Sequence, residues 1–509
     1  MIERKILIGL ITNTEFLKEI EDLWNPEYIE SQTAKMICSW CWEYYREYKK
    51  APMQDIENIY IAKLKQGIDT DLAEEIEDEI LPSLSDEYSK EADNTFLLKE
   101  THKFFTERQL QLHIDSVTFL LAKDKVTEAK QEVEDFKLKT NIKNVGLDLS
   151  SKESLPKVRQ AYDKTYQNVI RFPGALGTFW NDQLVRGGLV SLLAPEKRGK
   201  TFWLLEFMMM AYKQKRNVAF FQAGDMTEAQ QIIRIGVYLS QCSNLERFIG
   251  TRYIPVMDCI HNQKDTCNKK VRECQFGLFG EEINTREEIT KEALIEACES
   301  NPDYKACYNC AEWESSRWGT PWITKRVIKK PLTKSAAVRA WEKFFIAAGR
   351  SIKLSTHANL TLKVKDIEHI LEKWKQTEGF VPDVILIDYA DILDSEIKGD
   401  VRACENHKWM RLRALSQTTN ALVVVPTQAD ADSYKRNVID MSNFSETKTK
   451  NAHVTAMYGL NQDKEGREKE IGVMRINKIV VREDDFHSSQ QVHVLQHLAI
   501  GRPHLGSYL

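Results

Sequence analysis

The 509-residue chain has no apolar run approaching the roughly 18 residues of a membrane span, so no membrane partner is expected. It has no excess of one charge either: 71 Lys and Arg stand against 75 Asp and Glu, a net charge of -4. A globally basic coat is thereby excluded, and any nucleic-acid site must be local. The opening Met-Ile-Glu-Arg-Lys leads into a short apolar run without a small-residue cleavage site. No signal peptide is expected, and the reading is cytosolic. Internal repeats and low-complexity tracts are missing as well. Cysteine is not scarce: ten of them in a cytosolic chain argue against a disulfide framework and for thiols or metal. Apolar content of 42% with 29% charged residues is ordinary for a globular protein, and the length favours about two to four domains.

Residues 1–145 contain no Gly-rich loop and few strand-like runs. Apolar residues there recur in steps of three and four (Ile6, Leu7, Leu10 and Ile11, then Ala34, Ile37, Cys41, Tyr44 and Tyr48), which predicts an all-helical N-terminal domain. Cys38 and Cys41 form a CxxC inside that apolar pattern with no second ligand pair nearby, and read as core thiols. The charge-rich stretch from Lys123 to Lys137 reads as a solvated helix leading into a linker over 146–178. That linker ends near the turn residues Arg171-Phe172-Pro173-Gly174.

From Phe179 short apolar runs alternate with helical patterns, the texture of a mostly parallel α/β sheet. Leu189-Val190-Ser191-Leu192-Leu193 reads as a buried strand. It is followed by Ala194-Pro195-Glu196-Lys197-Arg198-Gly199-Lys200-Thr201 and an apolar helix. Strand, loop ending Gly-Lys-Thr, helix is the phosphate-loop arrangement. Backbone N–H groups wrap a polyphosphate, Lys200 reaches the β- and γ-phosphates, and the Thr201 hydroxyl binds Mg²⁺. Ala194 stands where the pattern has Gly, a position that opens the loop, whereas Gly199 must let backbone close on phosphate.

Three further strand ends carry chemistry. Asn217 to Phe221 runs into Asp225, a candidate general base for an attacking water at the end of a strand expected beside that of the phosphate loop. The alternative is that Asp225 caps the next helix, a task Thr227 could also do. Val384-Ile385-Leu386-Ile387-Asp388 delivers Asp388 to the same edge as a Mg²⁺-linked carboxylate, and Asp391 and Asp394 beyond it read as loop residues. Leu422 to Val425 leads to Gln428, read either as a γ-phosphate sensor or as a loop-capping amide.

About 140 residues separate the helix ending near Ser240 from the Asp388 strand, too many for a simple crossover. An insertion over about 250–345 holds Cys307-Tyr308-Asn309-Cys310, and Cys259 and Cys267 bracket a second polar loop. Four such thiolates would form a closed tetrahedral Zn²⁺ site holding an otherwise coreless subdomain together. Cys274 or His261 are competing ligands, and Cys298 reads as packing. Trp313, Trp318 and Trp322 precede Lys325, Arg326, Lys329, Lys330 and Lys334, a pattern that suits either nucleic acid or a solvated basic face.

In order and strand placement, Ala194 to Thr201, Phe221 to Met226, Leu386-Ile387-Asp388-Tyr389 and Gln428 resemble the DnaB-like replicative helicases of the RecA superfamily, particularly phage-type members. The resemblance implies a RecA-like ATPase domain over 179–509 and a homo-oligomeric, commonly hexameric ring. It also implies ATP and Mg²⁺ between neighbours, single-stranded DNA in the pore, and a primase or loader as partner. The family's catalytic Glu is replaced by Asp225. Its C-terminal Lys-x-Arg is absent in that form, and Lys478 and Arg482 are the available substitutes for a residue reaching the neighbour's phosphates. Loops expected at the pore hold Lys398, Arg402, Lys408, Lys435, Arg436, Lys448 and Lys450. The function so implied is an ATP-dependent helicase. The alternative is an ATP-switched recombination mediator, or a sensor and recruitment protein with little unwinding.

Overall fold

The computed structural model describes the chain except for residues 1, 66, 68–75, 77–93, 137–148, 153, 164–166, 311–315, 347–350, 444–447, 483–486 and 488. Trp313, Lys137 and the start of the expected linker at 146 lie outside the described residues, as does the side chain of Lys448. The rest clusters into two compact units, Met1–Ser154 and Leu155–Leu509. Among the described residues no helix is long and apolar enough to cross a membrane.

The first unit is helical, with Ile2–Thr12, Thr14–Ile20, Gln32–Tyr48, Asp55–Leu64, Asn94–Ala122 and Val126–Asp135. Asn13 and Ser31 start two of these helices by accepting the backbone N–H of Phe16 and Ala34. The three-and-four spacing resolves into one apolar core that includes Ile6, Leu10, Phe16, Ile37 and Phe105. Cys38 and Cys41 lie fully inside it, and burial pushes both thiols up. They are packing residues, since the thiolate needed for metal is disfavoured there.

The second unit is built on a nine-stranded sheet ordered β11-β10-β9-β8-β1-β7-β6-β2-β5. The strands are β1 (Leu189–Ala194), β2 (Val218–Gln222), β5 (Ile352–Thr356), β6 (Val384–Asp388), β7 (Leu422–Gln428), β8 (Ala456–Asn461), β9 (Val473–Val481), β10 (Gln491–His497) and β11 (Arg502–Tyr508). From β8 to β5 all neighbours are parallel, and β9, β10 and β11 add antiparallel strands at one side. The central strands are apolar throughout because both faces are covered. Val190, Leu192, Val384, Leu386, Leu422 and Val424 face a layer that includes the helix Lys200–Lys213. Leu189, Leu193, Ile385, Ile387, Val423 and Val425 face the layer of helices Val364–Glu378 and Val401–Thr419.

Two features depart from the sequence reading. Strand β5 and the helix Val364–Glu378, which the sequence reading did not name, complete the crossover into β6. The residues from Val169 to Trp180, which read in the sequence largely as linker, pack into the sheet's core. Trp180 meets Trp203 at 5.5 Å, and Phe172 meets Phe207 at 5.2 Å.

The insertion rises on a two-stranded antiparallel ribbon, β3 (Gly250–Cys259) with β4 (Gly319–Ile328), in unbroken register from Gly250↔Ile328 to Cys259↔Gly319. It is not coreless. Ile289, Leu294, Tyr304, Trp322 and Ile323 form an apolar cluster with Val473, Leu495 and Tyr508 of the main sheet. Trp322 points into that cluster while Trp318, Lys325, Lys329 and Lys330 are exposed, so Trp322 does not share a face with these cations.

At Gly177 a Cβ would lie 2.0 Å from the Phe172 carbonyl oxygen, whose peptide is clamped by the Asn181 amide. Gly177→Ala should therefore lower stability by about 2–3 kcal/mol, read as a fall in the thermal or denaturant midpoint.

Candidate phosphate-loop site

β1 ends at Ala194, and the helix Lys200–Lys213 begins after a turn in which Gly199 (φ +91°) and Lys197 (φ +57°) are left-handed. Gly199 is there because a side chain would strain that conformation. The Lys200 ammonium curls back to donate to the Ala194 and Pro195 carbonyl oxygens at 2.9 and 3.3 Å. Burial lowers its pKa, and Asp391, Asp388, Glu196 and Asp225 oppose the shift. Four carboxylates therefore surround this one cation.

Asp388, the last residue of β6, is 1% exposed. The Thr201 side chain stands beside it and favours its ionised form, and its Oδ2 has no hydrogen-bond partner. Burial raises its pKa to about 6, against the lowering effects of Thr201 and Arg234. A hydroxyl beside a buried carboxylate oxygen without a donor is a fitting pair of oxygens for Mg²⁺. Thr201 and Asp388 would hold the ion.

Asp225 stands exposed in the loop after β2. Thr227, not Asp225, caps the helix Glu228–Ser240 through a capping box with Gln230, which removes the structural alternative for the acid. Gly224 (φ +130°) lets this loop lie against Asn359, whose Cα would be 2.4 Å from an added Cβ. Asp225 acts electrostatically on Lys200, Asp388 and Tyr389. Its strand is not the neighbour of the phosphate-loop strand, contrary to expectation: β2 pairs with β5 and β6, and β7 separates β6 from β1. The acids reach the loop from the second and third strands over.

Sequence reasoning missed Arg234. On the helix Glu228–Ser240, its guanidinium lies 5.0 Å from the centre of the Phe202 ring. Burial lowers its pKa, while Asp388 and Asp225 raise it. The available signal was a lone cation in the apolar run Ile232-Ile233-Arg234-Ile235.

Gln428 ends β7 and donates from Nε2 to Glu196 Oε1 at 3.0 Å, tying this strand to the phosphate loop. Its backbone N–H donates to Asp391 Oδ2 at 2.8 Å. Asp391, read from the sequence as a loop residue, also accepts from Thr427 and from the fully buried Lys450, at 2.9 and 2.5 Å. Glu405 adjoins this cation and pairs with buried Lys408 at 2.6 Å. Lys408 and Lys450 are therefore not pore cations: their charges are neutralised inside an ion network. Lys398, Arg402, Lys435 and Arg436 are exposed, the last two paired with Asp432 and Asp440.

The substitutes for the family's Lys-x-Arg lie away from this chain's own loop. The Arg482 N–H bonds to Thr455, whose own N–H bonds to Leu189 at the start of β1, the edge opposite Gly199. Arg482 is exposed, with its guanidinium on the Ala452 carbonyl. Lys478 is buried with its ammonium 5.4 Å from the centre of the Phe179 ring. Arg198 donates to Gln462 Oε1 at 3.0 Å, and burial lowers its pKa.

Cys259, Cys267, Cys307 and Cys310 all line one cavity of about 210 Å³, together with His261 and Trp318. Buried Asp258 joins their segments by accepting the N–H groups of Cys259 and Cys307 at 2.8 and 2.9 Å. Among the described residues, however, no group of three or more His, Cys, Asp or Glu side chains is arranged to hold a metal ion. Cys274 is in the apolar cluster and Cys298 packs against it, so neither replaces a thiol at the cavity.

No protein-family model matches the chain, and no curated protein matches it. Among solved structures it is similar to a DnaB-like replicative helicase described with its interactions with primase. That likeness has 13% identity, a TM-score of 0.51 and 98% of each chain covered. It is also similar to a second structure, described as an ATPase domain, at 14% identity and a TM-score of 0.42, over 70% of this chain and 98% of that one. The chain thus has the fold of a DnaB-like replicative helicase, as its phosphate-loop and strand motifs implied.

A carboxyl raised to about 6 stabilises the fold below the ordinary Asp range and loses that contribution as pH climbs through 6. In EDTA at pH 7.5, Asp388→Asn should therefore be more heat-stable than the parent by up to about 3 kcal/mol. The advantage should vanish by about pH 4, as read by thermal unfolding across that range.

Proposed function

We propose that this chain is an ATP-driven motor of the replicative helicase type, which translocates on single-stranded DNA and separates duplex. The observation that carries the reading is the convergence on one phosphate loop of Lys200, the Thr201–Asp388 pair, Asp225 and the Gln428–Glu196 link. Lys200 binds the β- and γ-phosphates, and Glu196 to Thr201 with Ala194 cradle them through backbone. Mg²⁺, when bound, neutralises charge developing on the transferred phosphoryl group. Asp225 orients and deprotonates the attacking water, from a shorter arm than Glu would give. Gln428 reads the γ-phosphate and passes its state through Asp391 and Lys450 to the helix Val401–Thr419.

Assembly as a ring, commonly of six, supplies what one chain lacks. Arg482, exposed at the sheet edge opposite Gly199, would serve a neighbour's phosphates, whereas Lys478 would first have to leave Phe179. Lys398, Arg402, Lys435 and Arg436 would hold the phosphate backbone of the strand. The N-terminal helical domain (1–145), joined by the segment that begins at 146, is where a primase or loader would dock, in the cytoplasm of the cell or host. A second reading, an ATP-switched mediator or sensor with slow turnover, is favoured by one observation: the water-activating acid is a short, exposed Asp.

ATP hydrolysis should rise sharply on adding single-stranded DNA, and Lys200→Ala should abolish hydrolysis and unwinding. Asp225→Asn should cut kcat by about 100-fold or more while ATP binding persists. DNA-independent hydrolysis without strand separation would leave the mediator reading standing.

We further propose that the insertion binds one structural Zn²⁺ through Cys259, Cys267, Cys307 and Cys310. The support is their shared cavity and the soft-ligand chemistry of four thiols drawn from two tethered segments. Elemental analysis should find one zinc per chain, lost in the Cys307→Ser/Cys310→Ser double variant. Zinc-free native protein would sink the assignment.

A further inference from the structure

A nucleotide whose outer phosphates sit in the loop must carry its base and sugar away along one flank of it. One flank is occupied: β7, β6 and β2 bring Gln428, Asp388 and Asp225 there. On the other flank, beyond the end of β8, a cleft of about 580 Å³ opens directly from loop residues Lys197 and Arg198. Its mouth is marked by Leu498, the side chain nearest to Gly199, at 3.3 Å from where a Cβ would stand.

The far wall of this cleft belongs to the insertion. Arg252 of β3 lies with its guanidinium 5.3 Å from the centre of the Phe248 ring and donates from Nε to the Phe248 carbonyl at 3.1 Å. Lys291, the first residue of the helix Lys291–Ser300, adds a third positive segment, and Lys469 a fourth. Among the described residues, Glu470 is the only carboxylate in the lining. Cations converging from four separate segments call for an anion, and the ring and aliphatic surfaces beside them suit a flat heterocycle.

A further observation points to the same ligand. Gln496 lines the cleft, is 5% exposed, and its Oε1 has no hydrogen-bond partner. A buried acceptor left without a donor is costly, and the exocyclic amino group of a nucleobase would satisfy it.

We infer that this cleft takes the nucleoside end of the bound nucleotide, α-phosphate included, with the insertion as its outer wall. The inference rests on the phosphate-loop reading and adds to it. The inserted ribbon and helix become part of the nucleotide site through Phe248, Arg252 and Lys291, and Gln496 selects for a base that carries an amino group.

The experiment compares ATP with inorganic pyrophosphate, which fills the β- and γ-phosphate positions of the loop but has neither α-phosphate nor nucleoside, by calorimetry on the full chain. Arg252→Ala/Lys291→Ala and Gln496→Leu should each raise the Kd for ATP about tenfold. The Kd for pyrophosphate should change by less than about twofold, which also shows that the variants are folded. Unchanged ATP affinity, or equal loss for both ligands, overturns the inference while leaving the loop assignment intact. If the parent protein binds neither ligand, or Lys200→Ala weakens neither, the phosphate-loop reading itself fails.

Discussion

The closeness of the Thr201 side chain to the buried Asp388 carboxylate is the contact on which the site depends. It joins the first turn of the helix after β1 to the tip of β6, across an intervening strand. Burial makes ionised Asp388 unfavourable, and a nearby hydroxyl and guanidinium offset part of that penalty. The same arrangement leaves one carboxylate oxygen without a donor in a place closed to solvent. Such an oxygen would gain most from a cation, so burial that costs stability here suits the proposed Mg²⁺ site.

Around that contact the sheet distributes its tasks by strand. β1 gives the loop, β6 the buried acid, β2 the exposed acid, and β7 an amide that reaches back to Glu196. β7 lies between the loop strand and the acid strand, so movement at Gln428 would be felt on both sides. Behind it, Asp391 and Lys450 tie the strand end to Glu405 and Lys408 in a network with almost no access to solvent. Buried ion pairs of this kind seldom add net stability, but they do hold one geometry, and here they hold the base of a proposed sensor.

The insertion does two different things in two places. Near the sheet it packs as ordinary protein, with Trp322 and Tyr304 against Leu495 and Tyr508. Farther out it is polar, and Asp258 and Arg272 hold its loops by hydrogen bonds to backbone and amide groups. The four thiols at the small cavity belong to this polar part, and the cations of the larger cleft face the phosphate loop.

The parallel-sheet architecture, the strand, turn and helix around Gly199, and the place of Asp388 at a strand tip were legible in the chain because each rests on local pattern. A strand buried on both faces must read as an apolar run, and a loop that wraps phosphate must end in Gly and Lys. The helical spacing of Ile6 to Cys41 likewise announces its core, whereas Tyr48, read in the same pattern, is exposed. Arg234, Asp391 and Lys450 were not legible, nor was the burial of Lys408, because a charged side chain looks alike in sequence whether it meets water or a buried partner. Order across the sheet was equally hidden, since which strand lies beside β1 is settled by crossover connections and not by any residue on it. Composition and periodicity, which act over a few residues, determined the elements and the residues at their tips. Tertiary packing, which joins residues hundreds of positions apart, decided which tips share one pocket and which charges are neutralised inside the fold.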